Sequence, residues 1–171
     1  MKLAAAALGV ALCALATHAQ AQISDDVVKI GVLTDMSSLY SDATGKGSLY
    51  AVQLAVQDYG GKVKSKPVEV ISADHQNKPD VGSSIARNWY DTEKVDAIVD
   101  VPTSSIALAV SGISRDKNKT FLVSGGGTSD LTGAQCSPNT IHWTCDTYAL
   151  SRVAGRAMVE RGDDTWFFLT Q

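Results

Sequence analysis

Short apolar runs alternate along this chain with stretches whose apolar residues recur at helical spacing. Val27 to Leu33 (VVKIGVL) is a β-branched run ending at a polar turn, which predicts a buried strand. After the loop TDMSSLYSDATGKG, the segment SLYAVQLAVQDYGG puts Leu49, Val52, Ala55, Val56 and Tyr59 on one helical face, and Gly60-Gly61 stops the helix. Val68 to Ala73 predicts a second strand. Asn77-Lys78-Pro79-Asp80 opens a second helix, with proline in its first turn and Val81, Ile85 and Trp89 directed inward. Val95 to Val101 predicts a third strand, ended by Pro102. Thr103-Ser104-Ser105 then brings hydroxyls to the capping positions of a third helix. Thr120 to Val123 and Thr140 to Thr144 predict two more strands. Asp146 caps a last helix with Tyr148, Val153, Ala157 and Val159 on a broad apolar face, and Thr165 to Leu169 predicts a sixth strand.

This alternation predicts an α/β fold: a Rossmann-like parallel sheet with helices on both faces, joined by right-handed crossovers. No repeat of solenoid period and no low-complexity segment interrupts it. In such a sheet, ligands gather at the carboxyl ends of the strands, near the point where strand order reverses. The loops there are 34–47, 74–79, 102–105 and 124–132. A sixth strand with no helix after it would leave a bare apolar edge, so either the chain is a fragment of a longer protein, which is the favoured expectation, or that strand pairs with another copy.

The N-terminus changes the picture of where the chain resides. Met1-Lys2 is followed by an uncharged run, Leu3 to Ala16, of about 14 residues, too short to cross a bilayer. Ala19-Gln20-Ala21 supplies a small-x-small cleavage pattern, so residues 1–21 are expected to be a secretory signal peptide. Cys13 follows Leu12, where a lipoprotein signal wants a small side chain. The expected mature chain starts at Gln22 and has the length of one domain. With 15 Lys and Arg against 18 Asp and Glu and no basic stripe, nothing points to nucleic acid. Cys136 and Cys145 are an even pair in an exported chain, which permits a disulfide; two unrelated thiols fit the sequence equally. No Cys/His spacing makes a metal site, and no cofactor is implied.

The loop VSGGGTSDLTG, Val123 to Gly133, concentrates the candidate chemistry. A phosphate loop would need G-x-x-x-x-G-K-[ST], and no lysine is near; the dinucleotide fingerprint is absent after the first strand. A hydrolase elbow would need G-x-S-x-G, and Gly127-Thr128-Ser129-Asp130-Leu131 does not match it. A binding site has more support. Thr103, Ser104 and Ser105 stand where a strand gives way to a helix, so backbone N–H groups and hydroxyls there can hold a carboxylate. The glycines let backbone amides approach a ligand closely. Tyr40, in the first long loop, fits an apolar part of a ligand as well as it fits a surface.

Taken together, VVKIGVLTDMSSLYSDATGKG, ADHQNKPDVGSSIARNWYD, VDAIVDVPTSSIALAV and SGGGTSDLTGAQCSPNTIHWTCDTYAL resemble the N-terminal lobe of periplasmic substrate-binding proteins of the branched-chain amino acid type, which serve ABC importers. The resemblance implies a type I binding-protein fold of two Rossmann-like lobes closing on a ligand. Residues 22–163 would form the N-terminal lobe and 164–171 the start of a truncated second lobe. It implies a ligand site made by Thr103 with Ser104, by Gly126, Gly127 and Thr128, by Tyr40 and by Tyr148. It also implies no enzymatic activity, a location in the periplasm, and a monomer when full length. The solute would be a small carboxylate-bearing molecule (an amino acid, aromatic acid or amide) delivered to a membrane permease. A ligand-sensing module of a signalling receptor, which shares this fold, is the alternative. The aromatic usual between Thr144 and Asp146 is replaced here by Cys145.

Overall fold

The structure is a computed structural model that describes Ile23 and residues 25–167. The expected signal peptide, 1–21, lies outside the described residues. The elements run β1 (Val28–Thr34), α1 (Gly45–Asp58), β2 (Lys62–Val63), β3 (Lys66–Asp74), α2 (Pro79–Asp91), β4 (Ala97–Asp100), α3 (Ser104–Asp116), β5 (Thr120–Val123), a 3-10 turn (Ser129–Leu131), β6 (Thr140–His142) and α4 (Thr147–Glu160). They form one sheet in the order β2-β3-β1-β4-β5-β6. β1 pairs in parallel with both β3 and β4, and β4, β5 and β6 continue in parallel; β2 alone runs antiparallel, against β3. The expected α/β sheet is therefore present, and strand order reverses at β1.

The pairing register assigns each side chain to a face, because successive residues of a strand point to opposite sides. Gly31, Ile98, Phe121 and Thr140 stand in one row across the sheet. That row faces α2 and α3, whose Trp89, Tyr90, Ile106, Ala107 and Val110 join Ile98 and Phe121 in the buried core. The central strand carries glycine in this row for a steric reason. A Cβ on Gly31 would lie 2.5 Å from ring carbons of Trp89. Ser111 Oγ on α3 meets Thr140 Oγ1 at 2.7 Å, fixing the helix over β6.

The opposite row, Val32, Val99, Leu122 and Ile141, faces α1. Only its first member is well covered: Val32 is fully buried, whereas Leu122 is 36% and Ile141 50% exposed. Between α1 and the outer strands lies an open apolar groove of about 560 Å³, bounded by Ala51 and Ala55 on the helix and by Val99, Leu122, Ile141 and Trp143 on the sheet side.

Several expectations are corrected. α1 starts at Gly45, and Leu49, Val52 and Val56 are only partly buried while Ala55 and Tyr59 are exposed. The Lys62–Lys66 segment forms a hairpin with a two-residue turn, Lys64 and Ser65, both at positive φ of 49° and 68°. α4 is capped by Asp146, whose Oδ1 accepts from the amide of Ala149 at 2.7 Å, yet buries none of its residues. Its expected apolar face is thus solvent-exposed. Thr165, Trp166 and Phe167 do not form the expected sixth strand; Phe168 and Leu169 lie outside the described residues. No described helix is long and apolar enough to cross a membrane.

Candidate functional site

The carboxyl ends of β3, β1, β4 and β5 bring four loops to one edge of the sheet. The loop after β1 is built around Asp35, which is fully buried. Its Oδ1 accepts from the amide of Ser38 at 2.9 Å, and its Oδ2 accepts from the Ser38 hydroxyl at 2.6 Å and the amide of Tyr40 at 2.9 Å. Burial acts to raise this carboxyl, but the Ser38 hydroxyl and the amides of Tyr40, Ser38 and Ser37 outweigh it and hold the group below its ordinary value. Thr34 Oγ1 accepts from the amide of Gly45 at 3.0 Å, joining the strand end to the start of α1. Gly45 has φ of 51°, and a Cβ there would sit 2.9 Å from the carbonyl oxygen of Asp35. Tyr40 is thereby set by its own amide, with its side chain half-buried in this loop.

Asp74, at the end of β3, ties this loop to the next. It accepts from the amide of Met36 at 3.0 Å, the hydroxyl of Ser37 at 2.6 Å and the amide of Gln76 at 2.8 Å. Burial and the Asp35 charge raise its carboxyl; these hydrogen bonds prevail and lower it. His75 follows, fully buried, with Nδ1 accepting from the amide of Asn77 at 3.0 Å and Nε2 without a partner. Burial depresses its basicity against the pull of Asp35, Asp74 and Asp100. Gln76 and Asn77 both have φ of 54°, and Asn77 Oδ1 accepts from the hydroxyl of Thr103 at 2.7 Å.

Thr103 occupies the N-cap position of α3, but its side chain makes no cap bond. The sequence led us to expect a capping hydroxyl. The side chain turns to Asn77 instead, so no side-chain cap serves the first-turn N–H groups of α3. Ser104 is half-buried beside it. Immediately before, Asp100 and Val101 have φ of 83° and 59°. A β-branched residue in that region is strained. It is held by full burial of Val101 and by its amide donating to the carbonyl of Leu33 at 2.9 Å. Asp100 Oδ1 accepts from the hydroxyl of Ser124 at 2.7 Å, while its Oδ2 is buried without a partner.

The glycine loop packs on this turn. A Cβ on Gly125 would lie 2.8 Å from Pro102 Cα, and one on Gly126 would lie 3.0 Å from Ala107 Cβ. The close approach of the loop to the start of α3 therefore requires both glycines. Gly127 meets nothing on its Cα side, and its carbonyl accepts from the amide of Thr147 at 2.7 Å. Thr128 Oγ1 accepts from the amide of Asp130 at 3.3 Å and caps the 3-10 turn. His142, which the sequence reading left as a plain strand residue, bonds through Nε2 to the carbonyl of Gly126. Tyr148 is exposed on α4 and pairs with Arg152, whose Nη1 donates to the phenol oxygen at 2.6 Å. Cys136 and Cys145 are both free and exposed. The permitted disulfide is not formed in this structure.

Gly125 and Gly126 meet Pro102 and Ala107, so the loop that carries Gly126, Gly127 and Thr128 lies against the turn that carries Thr103 and Ser104, with Tyr40 in the loop after β1; the crevice between these loops is where the resemblance implies a ligand. Tyr148, exposed on α4, directly follows Thr147, whose amide bonds the Gly127 carbonyl. Asp35, Asp74, His75, Asn77 and His142 support these loops and were not singled out from sequence, although the run Asp74-His75-Gln76-Asn77 directly after a strand was the available signal. Backbone N–H groups at the start of α3 without a side-chain cap, and the hydroxyls beside them, are groups of the kind that hold a carboxylate. Among the described residues no group of His, Cys, Asp or Glu is arranged to hold a metal.

A family model described as "Periplasmic binding protein" matches residues 27–171. A periplasmic binding protein from Burkholderia mallei is similar at 48% identity and a TM-score of 0.82, over 85% of this chain and 39% of that one. A branched chain amino acid ABC transporter periplasmic ligand-binding protein from Burkholderia xenovorans LB400 is similar at 42% identity and 0.75, over 79% and 36%. A solute binding protein of an ABC transporter from Rhodopseudomonas palustris, in complex with 3,4-dihydroxy benzoic acid, is similar at 25% identity and 0.74, over 81% and 37%. The chain spans well under half the length of each of these proteins. No curated protein matches it.

Proposed function

The chain belongs to the periplasmic binding protein family, and from that premise we propose that it supplies the N-terminal lobe of a solute-binding component of an ABC importer. In this reading, 1–21 is a cleaved signal, the protein works in the periplasm, and the crevice at Thr103, Ser104 and Gly127 binds the carboxylate of an amino acid, an aromatic acid or an amide-bearing acid. Thr128 and Tyr40 complete the contacts of this lobe, and Tyr148 reaches the ligand only if a second lobe closes over it. The delivered solute passes to a membrane permease.

The observation that carries this reading is the uncapped first turn of α3 facing a glycine loop packed within contact distance of it. Partial positive charge at a helix N-terminus and unobstructed amides favour a small anion with no ionised side chain nearby. The ligand of the Rhodopseudomonas protein is an aromatic carboxylate, and the Burkholderia xenovorans protein is described for branched-chain amino acids. Both belong to the chemical class proposed here.

The test is a thermal-shift panel of leucine, benzoate, 3,4-dihydroxybenzoate and their amides, on this chain and on the protein extended past Gln171. A ligand at a hundred times its dissociation constant stabilises by about 2.7 kcal/mol. Shifts with carboxylates and none with the neutral amides support the reading. A folded, extended protein that responds to none of the carboxylates disproves it.

A further inference from the structure

Two buried side chains at the carboxyl ends of the strands, His75 and Asp100, each leave one polar atom unpartnered; His75 is linked through Asn77 to Thr103, and Asp100 is bonded to Ser124 at the start of the glycine loop. His75 Nδ1 accepts from the amide of Asn77, and Asn77 Oδ1 accepts the hydroxyl proton of Thr103, in two successive bonds of 3.0 and 2.7 Å. An amide can donate to Nδ1 only when that nitrogen carries no proton, so this bond requires the neutral ring with its proton on Nε2. Asn77 itself stands at a φ of 54°, a conformation reached at some cost and held here by the bond to His75.

We propose that Asn77 is a positioning residue for Thr103 and that His75 acts as its latch: with Nδ1 bare, the Asn77 backbone is held and keeps the Thr103 hydroxyl proton on its Oδ1; with Nδ1 protonated, the latch opens and that proton is released to a carboxylate. The proposal rests on the reading above in one respect, that Thr103 contacts the ligand. Its internal logic does not need a ligand.

The groups around the ring define the conditions. Asp74 adjoins it on β3, Asp35 stands beyond β1, and Asp100 ends β4; all three carboxylates favour the charged ring. α2 meets it with Gly82, where a Cβ would lie 3.5 Å from His75 Cβ, and Lys78 keeps its ammonium on Gln76 Oε1. Burial opposes protonation and keeps the latch closed near neutrality. The opening therefore falls on the acid side of the ordinary histidine range.

The experiment is a pH titration of the 15N-labelled chain by NMR, without ligand, in the wild type, His75→Asn and Asn77→Ala. Asparagine keeps an acceptor near the Nδ1 position but cannot titrate. In the wild type, the backbone signals of Asn77 and Thr103 should move with the His75 ring. In His75→Asn both should stay constant over that range, and in Asn77→Ala the Thr103 signal should lose its dependence on His75. Signals of Asn77 and Thr103 that ignore the His75 titration in the wild type overturn the proposal. If His75→Asn fails to fold, Asn77→Ala alone decides it, because a Thr103 signal still following His75 there would show that Asn77 is not the link.

A binding arm separates this idea from the functional reading. Calorimetry with leucine and benzoate should show about fivefold tighter binding for Asn77→Ala, because the Thr103 proton no longer has to leave Asn77 to reach the carboxylate. His75→Asn should bind as tightly as the wild type at neutral pH and more weakly than it in acid. Unchanged affinity in Asn77→Ala overturns the positioning role. Absence of carboxylate binding in the wild type counts against the functional reading, and the ligand-free titration then judges the latch by itself.

Discussion

Thr103 spends its hydroxyl proton on Asn77 rather than on its own helix, and this choice decides how its substitution should behave. Thr103→Ala removes no cap but does remove the part-buried bond to Asn77, so it should cost about 1 kcal/mol of folding stability. Affinity for a carboxylate should also fall; urea denaturation and calorimetry on the same variant measure the two effects separately. A Thr103→Ala variant as stable as the wild type would contradict the observed bond to Asn77. The titratable residues predict an acid profile in two stages. His75 is depressed in the folded state, so its contribution is intact above about pH 6.5 and is lost as pH falls from there through the folded value, because the unfolded chain takes up the proton first. Asp35 and Asp74 are depressed relative to carboxylates near 3.8, so a second loss begins only below about pH 4. Denaturation midpoints across that range check the order; Asp35→Asn should remove part of the second stage and, by removing a charge that favours the protonated His75 ring, deepen the first. Thr103 and the glycines could be read from sequence because a strand-to-helix turn and a triple glycine have few uses. Asn77 and His75 could not, since their roles depend on two positive-φ residues that no motif announces.

At the scale of elements, the sheet's center is set by a glycine beneath a tryptophan. Gly31→Ala would drive a methyl into the Trp89 ring at 2.5 Å, and should destabilise by about 3 kcal/mol. Pairing it with Trp89→Leu should recover part of that cost, a non-additivity read by a double-mutant cycle in urea. The β2–β3 hairpin offers the opposite kind of change. Lys64 and Ser65 occupy a turn that favours Asn-Gly, so Lys64→Asn with Ser65→Gly should raise stability by about 1 kcal/mol, seen as a higher melting temperature. The strands were legible because buried parallel strands read as unbroken β-branched runs. The hairpin was missed for the converse reason: its turn carries neither glycine nor asparagine. α1 was overestimated as a core helix because Leu49, Val52 and Val56 have helical spacing, but the sheet beneath it is wider than one helix covers.

At the scale of the molecule, the core joins α2 and α3 to the face of the sheet that carries Ile98 and Phe121, and α4 shares none of it. Hydrogen exchange should therefore be slowest in β1 and β4 and fastest in α4, whose backbone is protected only by its own helical bonds. Slow exchange throughout α4 in the isolated chain would refute that ordering. The sequence alternation was enough to predict the parallel sheet, but not where cover would be thin, since periodicity reports that a side chain seeks burial and not what provides it. The row from Val32 to Ile141 grows steadily barer toward β6. That gradient makes the colloidal behaviour of this polypeptide depend on two or three side chains remote from Thr103: hydrophobic dyes should light up on Leu122 and Ile141, and a single lysine at either position should keep concentrated solutions clear.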